Sequence, residues 1–301
     1  MTSINLSRER SLSAGASERA LQMVRRDLAR LQEQMSTSLR VNRASDDAPA
    51  FIEARKMEKL NNRYDQYLRS IDAAQSWVDH TQDVLGGLAD HMAEAYEQGV
   101  RVNGHISDAD SREAIASRVE AILVEVVDQL NTRNGDEYLF AGSDTTNQPF
   151  DVVAGVVVYN GNSAGRTRQI GDNQRLDVNI PGDSIHDTGA GFTITESLQG
   201  LADAIRSGDP ALMETALEDV ATARNHVIER GAEAGGIANR LDLAATQLRD
   251  ANIRVQTRQS EVEDVDMAAA IVDYQRAQTG YQAALKVTAS VLQTSLLDYL
   301  R

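Results

Sequence analysis

Histidine offers this chain its widest chemical range, and there are five: His80, His91, His105, His186 and His226. Imidazole binds zinc and moves protons near neutral pH. A zinc site on a helix needs ligands at a spacing such as His-Glu-x-x-His, and no such pattern occurs. His80 and His91 stand eleven residues apart in what reads as one long helix, where a solvated or seam-edge role is favoured over a metal pair. The absence of cysteine removes thiolate ligands, thiol nucleophiles and disulfides. Asp46-Asp47 has the form of a paired acid–base site, but Pro49 and a helical pattern follow, which makes the two residues helix caps. Asp264 and Asp266 are explained better by a helix start or a charged coil face than by a bound cation. Gly231-Ala232-Glu233-Ala234-Gly235-Gly236 follows no strand, so it reads as a bend or a close helix contact instead of a phosphate loop. Trp77 reads as a core anchor. No residue is assigned to catalysis, a cofactor or a metal.

The elements that hold these residues are mostly helices. Leu21, Val24, Leu28, Leu31 and Met35 step by three and four, as one seam of a helix does. Near the other end Ile271, Tyr274, Gln278, Tyr281, Leu285, Thr288, Leu292, Ser295 and Tyr299 keep the same rhythm, with Leu296 beside them. Each stripe needs a partner helix to cover it. Residues 1–20 are polar and Ser-rich and read as poorly ordered, with the first helix running from about Ala14 or Ser17 to Leu39. A long helix from Phe51 carries Leu60, Tyr67, Ile71, Val78, Leu85, Met92 and Val102 on its stripe and is expected to stop at Asn103-Gly104. Ser107 or Asp108 caps a returning helix with Ile115, Val119, Ile122 and Val126.

Between Tyr138 and Ile194 the character changes to Val, Ile, Thr and Tyr among Gly, Asn and Asp. Val152–Tyr159 reads as a strand, Asn160-Gly161 as its turn, Gly165–Ile170 as its return, Arg175–Ile180 as a further strand and Phe192–Ile194 as a last short one. Helix resumes at Thr195 and at Asp209-Pro210, and its phase slips between Asp264 and Ala270. The predicted fold is mainly α with a β insert: a long antiparallel helical rod, coiled-coil-like, plus a small β-rich outer domain. Its expected divisions are an N-terminal polymerisation segment (1–40), a first rod half (41–137), the β-rich domain (138–194), a second rod half (195–264) and a C-terminal polymerisation helix (265–301).

Composition agrees with long helices. Only 4% of the 301 residues are aromatic, which is poor material for a large globular core. The net charge of −15 disfavours nucleic acid, whose phosphates need a basic footprint. No stretch approaches the ~20 apolar residues of a membrane span. The first twenty residues lack the apolar run of a secretory signal, so the expectation is a cytoplasmic protein or one exported by another route.

Ser36 to Ala48, with its Arg40-Val41-Asn42 step and double Asp, resembles the N-terminal signature of the flagellin superfamily. Glu263-Asp264-Val265-Asp266-Met267-Ala268 resembles that family's acidic step before its last helix. Asn134 to Ser143 with Pro149-Phe150, and the tail from Tyr281 through Leu300, are similar to the branch of the family that joins hook to filament. The resemblance covers roughly residues 17–150 and 195–300. It implies an extracellular flagellar protein, exported unfolded and assembled as a ring of its own copies between hook-associated protein 1 and the first flagellin subunits. Its N-terminal seam (Leu21, Val24, Leu28, Leu31, Met35) would form part of the assembly interface. Its C-terminal seam (Ile271, Tyr274, Tyr281, Leu285, Leu292, Leu296, Tyr299) would serve assembly and a flagellar export chaperone. Two alternatives stay open: filament flagellin itself, and a cytoplasmic coiled-coil scaffold, which explains the heptads but not the β insert.

Overall fold

Apolar residues spaced three and four apart build the helices, and short Val- and Thr-rich runs between turn residues build three small hairpins. A computed structural model describes the backbone of residues 2–105 and 108–299 and the side chains of residues 18–102 and 108–289. The order is α1 (Thr2–Thr37), α2 (Ala48–His105), α3 (Ala109–Leu130), β1 (Arg133–Asn134), β2 (Glu137–Tyr138), β3 (Phe150–Val153), β4 (Val156–Tyr159), β5 (Thr167–Gln169), β6 (Arg175–Asp177), α4 (Gly182–His186), α5 (Ile194–Ser207), α6 (Pro210–Glu263) and α7 (Met267–Tyr299). The strands pair antiparallel as β1–β2, β3–β4 and β5–β6. The chain divides into a terminal unit, residues 1–62 and 251–301, and a central unit, residues 63–250. Both α2 and α6 contribute to each.

One apolar cluster fills the central unit. Ile71, Trp77, Leu85, Leu88 and Met92 of α2 join Val119, Ile122 and Val126 of α3, Leu198, Leu201 and Ile205 of α5, and Val220, Val227 and Leu241 of α6. Burial of each such side chain contributes roughly 1.5–3 kcal/mol before ordering entropy is subtracted. Of the caps in this unit, the one at α3 follows the sequence expectation and those at α5 emerge from the structure. Asp108 accepts from Ser111 N to open α3, with Ser107 lying outside the described residues. Thr193 and Glu196 form a reciprocal capping box at α5, and Gly208 closes that helix in the left-handed conformation (φ 66°).

The β segment leans on the helices through polar anchors. Trp77 is buried, as expected of a core residue, and the Arg166 guanidinium lies 4.2 Å from its ring centroid. The same Arg166 reaches Glu137 at 2.7 Å, and its guanidinium holds that carboxyl below the usual range. Asp172, in the turn between β5 and β6, accepts from Arg63 and from the Tyr67 hydroxyl, both at 2.9 Å. Tyr159 donates toward the carbonyl oxygens of Phe140 and Asn162, and burial pushes its phenol up to about 12. Gly182 is required here: a side chain would strike the Phe140 carbonyl and the rings of Tyr159 and Phe150.

Several expectations are corrected. Val152–Tyr159 is not one strand paired with Gly165–Ile170. It folds on itself as β3–β4, because Ala154 (φ 53°) and Gly155 (φ 83°) take the two positive-φ positions of a tight turn. Residues 167–169 pair with 175–177 instead, the strand expected over Arg175–Ile180 ends at Asp177, and Phe192–Ile194 is no strand. Thr193 makes an isolated bridge to Asp187 and then caps α5. α2 ends at His105, one residue past the expected stop at Asn103-Gly104, and the glycines at 231, 235 and 236 leave α6 unbroken. The helix expected to begin near Ala14 or Ser17 begins at Thr2.

His186 is buried, with Nε2 2.7 Å from Thr195 Oγ1 and its ring edge-on to Phe150. Burial lowers its pKa, against the opposing pull of Glu196 and Asp187. The unfolded chain therefore takes up a proton before the folded one does. The stability that neutral His186 contributes is present above about pH 6.5 and is lost as pH falls below it toward the lowered folded value. Urea midpoints followed by circular dichroism from about pH 7.5 to about pH 5 should fall. The slope should flatten in His186→Gln.

Candidate assembly interface

The terminal unit is built around two helix breaks that meet. Residues 38–47 separate α1 from α2, and residues 264–266 separate α6 from α7. Arg40 N (2.7 Å) and Val41 N (3.4 Å) both donate to Glu263 O, and Val265 N donates to Ser38 O (3.0 Å). Leu39 bridges Asp264 between them, and the Arg40 guanidinium adds a bond to Val262 O at 2.8 Å. Ser38 adopts a left-handed φ of 60° to turn the chain into this clasp, and Val41 is buried beneath it.

The four acids of this region organise backbone. Asp46 Oδ2 accepts from Asn42 N (3.1 Å) and Arg43 N (2.8 Å). Asp47 Oδ1 accepts from Ala50 N to cap α2, and its other oxygen meets Arg40 at 3.1 Å. The Ala50 amide first, then Arg40, hold the Asp47 carboxyl below the ordinary range. Asp266 Oδ1 caps α7 through Ala268 N and Ala269 N, and the Ser260 hydroxyl donates to Asp264. The carboxylates whose sequence pattern raises acid–base chemistry (Asp46, Asp47) or a bound cation (Asp264, Asp266) thus close loops and start helices.

From the clasp, α1 runs along α7. Leu21, Val24, Leu28, Leu31 and Met35 are all half-buried, while Met23, off that line, is 59% exposed. The C-terminal stripe divides. Tyr274, Tyr281 and Thr288 are half-buried, but Ile271 and Leu285 are each 42% exposed, and Gln278 is exposed as well. The positions that complete the covered line are Ala270, Ala277 and Ala284. Small side chains there let the helix approach the bulky line of α1. Their seven-residue spacing was the available signal, and ranking neighbouring positions by size misses it. Side chains of Leu292, Leu296 and Tyr299 lie outside the described residues.

Met267, Ile271 and Leu285 therefore remain exposed on α7 along one edge of the covered line, with Val272 exposed farther round the helix. Among the described residues no three His, Cys, Asp or Glu side chains come together as a metal site, and no helix is long and apolar enough to cross a membrane. His91 meets Glu125 at 3.4 Å and His226 meets Ser184 O at 2.9 Å, while the side chain of His105 lies outside the described residues.

Comparison with known proteins places both ends of the chain. Residues 11–145 match the bacterial flagellin N-terminal helical region, and residues 217–300 match the bacterial flagellin C-terminal helical region. Flagellar hook-associated protein 3 of Escherichia coli K12 is 25% identical over 290 residues, covering 88% of this chain and 90% of that protein. The flagellar filament 30.7 kDa core protein of Treponema maltophilum is 25% identical over 260 residues, 85% of this chain and 86% of that one. In fold, the chain is similar to a putative flagellar hook-associated protein from Vibrio parahaemolyticus, with a TM-score of 0.68 at 19% identity over 73% of this chain and all of the other. It is likewise similar to flagellar hook associated protein-3 from Legionella pneumophila, with a TM-score of 0.63 at 14% identity over 69% and 98% of the two chains.

The division of α7 into covered and exposed positions has a measurable consequence. Ala284→Leu enlarges a residue inside the α1–α7 contact and should destabilise it by about 1–3 kcal/mol. Amide exchange across residues 21–35 should accelerate accordingly. Leu285→Ala, one position on, should stay within about 0.5 kcal/mol in the isolated protein.

Proposed function

The chain belongs to the bacterial flagellin family and is a structural component of the flagellum, and from that premise we propose that it is the junction subunit that couples the hook to the filament. The observation that carries the reading is the uncovered part of α7: Ile271, Val272 and Leu285 stay exposed after α1 has covered the Ala–Tyr line. A helix used only to complete a monomer has no need of further exposed apolar residues. In this reading the terminal helices form the interface with neighbouring copies, Leu21 to Met35 brace α7 from within, and Ile271 and Leu285 face the next subunit. Leu292, Leu296 and Tyr299, whose side chains lie outside the described residues, belong to the C-terminal assembly and chaperone seam as the sequence places it. Hook-associated protein 1, the first flagellin subunits and an export chaperone for the C-terminal helix are the partners, and the protein has no catalytic role.

Filament flagellin is the rival reading, supported by relatives such as the Treponema filament core protein at similar identity. The two differ in position and copy number. Gold-labelled antibody should mark a single band at the distal end of the hook; labelling along the whole filament would overturn the junction assignment in favour of flagellin. Leu285→Asp should leave the protein folded and secreted while abolishing filament attachment, because an unpaired charge buried between subunits is costly. Removal of the last ~20 residues should likewise spare the central unit and stop assembly. Retention inside cells with an intact export apparatus would return the cytoplasmic scaffold to first place.

A further inference from the structure

The chain carries three Asn-Gly steps, at residues 103–104, 134–135 and 160–161. Such a step is chemically labile, because glycine lacks the side chain that would keep its amide nitrogen away from the preceding carboxamide. The side chain of Asn103 lies outside the described residues. The other two steps differ in how they are held. Asn160 N donates to Pro149 O at 2.7 Å, and Asn160 Nδ2 donates to Asp151 Oδ2 at 2.8 Å. Just beyond, Asn162 N donates to Ala141 O at 3.2 Å. Gly161 is packed so closely on Tyr159 that a Cβ there would strike the ring and its hydroxyl. Asn134 has none of these restraints. Its carboxamide makes no hydrogen bond among the described residues. It lies in β1, a strand of two residues paired with the two residues of β2. Gly135 follows at φ 64°, exposed and with open space around it.

We infer that Asn134 is a site of spontaneous deamidation in the folded protein, and that the fold spares Asn160. The Gly135 amide nitrogen attacks Cγ of Asn134. A C–N bond forms, the Cγ–Nδ2 bond breaks, and Nδ2 leaves as ammonia with the proton lost from Gly135 N. Water then opens the resulting succinimide. Addition at Cγ gives aspartate. Addition at the backbone carbonyl carbon gives isoaspartate, in which the chain continues through the former side chain. Ring closure requires Asn134 to swing out of its extended backbone conformation. A hairpin of two paired residues opens at little cost, without moving the buried Leu130 and Leu139 that flank it. At Asn160 the same swing breaks the bonds to Pro149 and Asp151 and drives Gly161 off Tyr159, whose hydroxyl is itself bonded to Phe140 O and Asn162 O. The product acts locally. Either form sets a new carboxylate beside Asp136 and Glu137. Isoaspartate also lengthens the backbone inside a turn whose register sets Arg133 opposite Tyr138. The Arg133 guanidinium, 4.3 Å from the Tyr138 ring centroid, then loses that placement.

Ageing the full chain for days to weeks in mildly alkaline buffer, made with water enriched in the heavy oxygen isotope, tests the assignment. Electron-transfer fragmentation of peptides spanning residues 134–166 locates the label at each asparagine and separates isoaspartate from aspartate. In the folded chain Asn134 should convert severalfold faster than Asn160, with isoaspartate as the larger product. In urea, where both steps are free, the two rates should converge. Asp151→Ala removes an exposed side chain and releases the Asn160 carboxamide. It should raise conversion at Asn160 and leave Asn134 as it was. Absence of label at Asn134, or conversion at Asn160 that is as fast or faster, overturns the assignment. A difference that persists in urea overturns its structural cause, and so does an Asp151→Ala chain in which Asn160 stays as protected as before.

Discussion

The terminal unit depends on three backbone hydrogen bonds between segments more than two hundred residues apart. Ser38, Arg40 and Val41 meet Glu263 and Val265, and nothing about either helix alone would bring α1 beside α7. Glu263 O closes α6, where carbonyls have no intrahelical partner, and the other groups lie in the two breaks between helices. The clasp satisfies the two breaks with one another. The same bonds fix where α1 leaves and where α7 starts, and the five half-buried residues from Leu21 to Met35 can then face Ala270, Tyr274, Ala277 and Tyr281.

Helices, caps and the family itself were legible in the residues. Asp47, Asp108, Asp209 and Asp266 stand where helix starts are placed by their chemistry, whereas the cap Thr193 was hidden in a run that reads as a strand, and the stripe of α2 from Tyr67 to Val102 lies on the buried face at Tyr67, Ile71, Leu85 and Met92. The hairpins were less legible. Asn160-Gly161 is the stronger turn dipeptide on paper, yet Ala154-Gly155 makes the turn. Phe150 and Tyr159 must both reach the core at the hairpin base, and only that register pairs them, with ring centroids 5.1 Å apart. Tertiary packing overrode a local preference. The covered line of α7 escaped for a related reason: Ile271 and Leu285 outrank Ala270 and Ala284 in hydrophobicity, but the geometry of two close helices rewards the smaller residue.

The central unit holds its hairpins by arginine and aromatic anchors as much as by apolar area. Arg166 spans Trp77 and Glu137, and Arg63 with Tyr67 grips Asp172. A chain with 4% aromatic residues has few bulky side chains to spend on small β elements, so planar cations and hydroxyls take that role. Histidines follow the same economy, with His186 and His226 both bonded beside the short helix α4.

The exposed Ile271 and Leu285 flank the covered line of α7, within about a quarter turn of Tyr274 and Tyr281 at ~100° per residue. Recruiting a neighbour onto Ile271 and Leu285 leaves the bond between α1 and the alanine line untouched. In the proposed assembly a subunit therefore joins through side chains that α1 leaves exposed, without exchanging any element of its own.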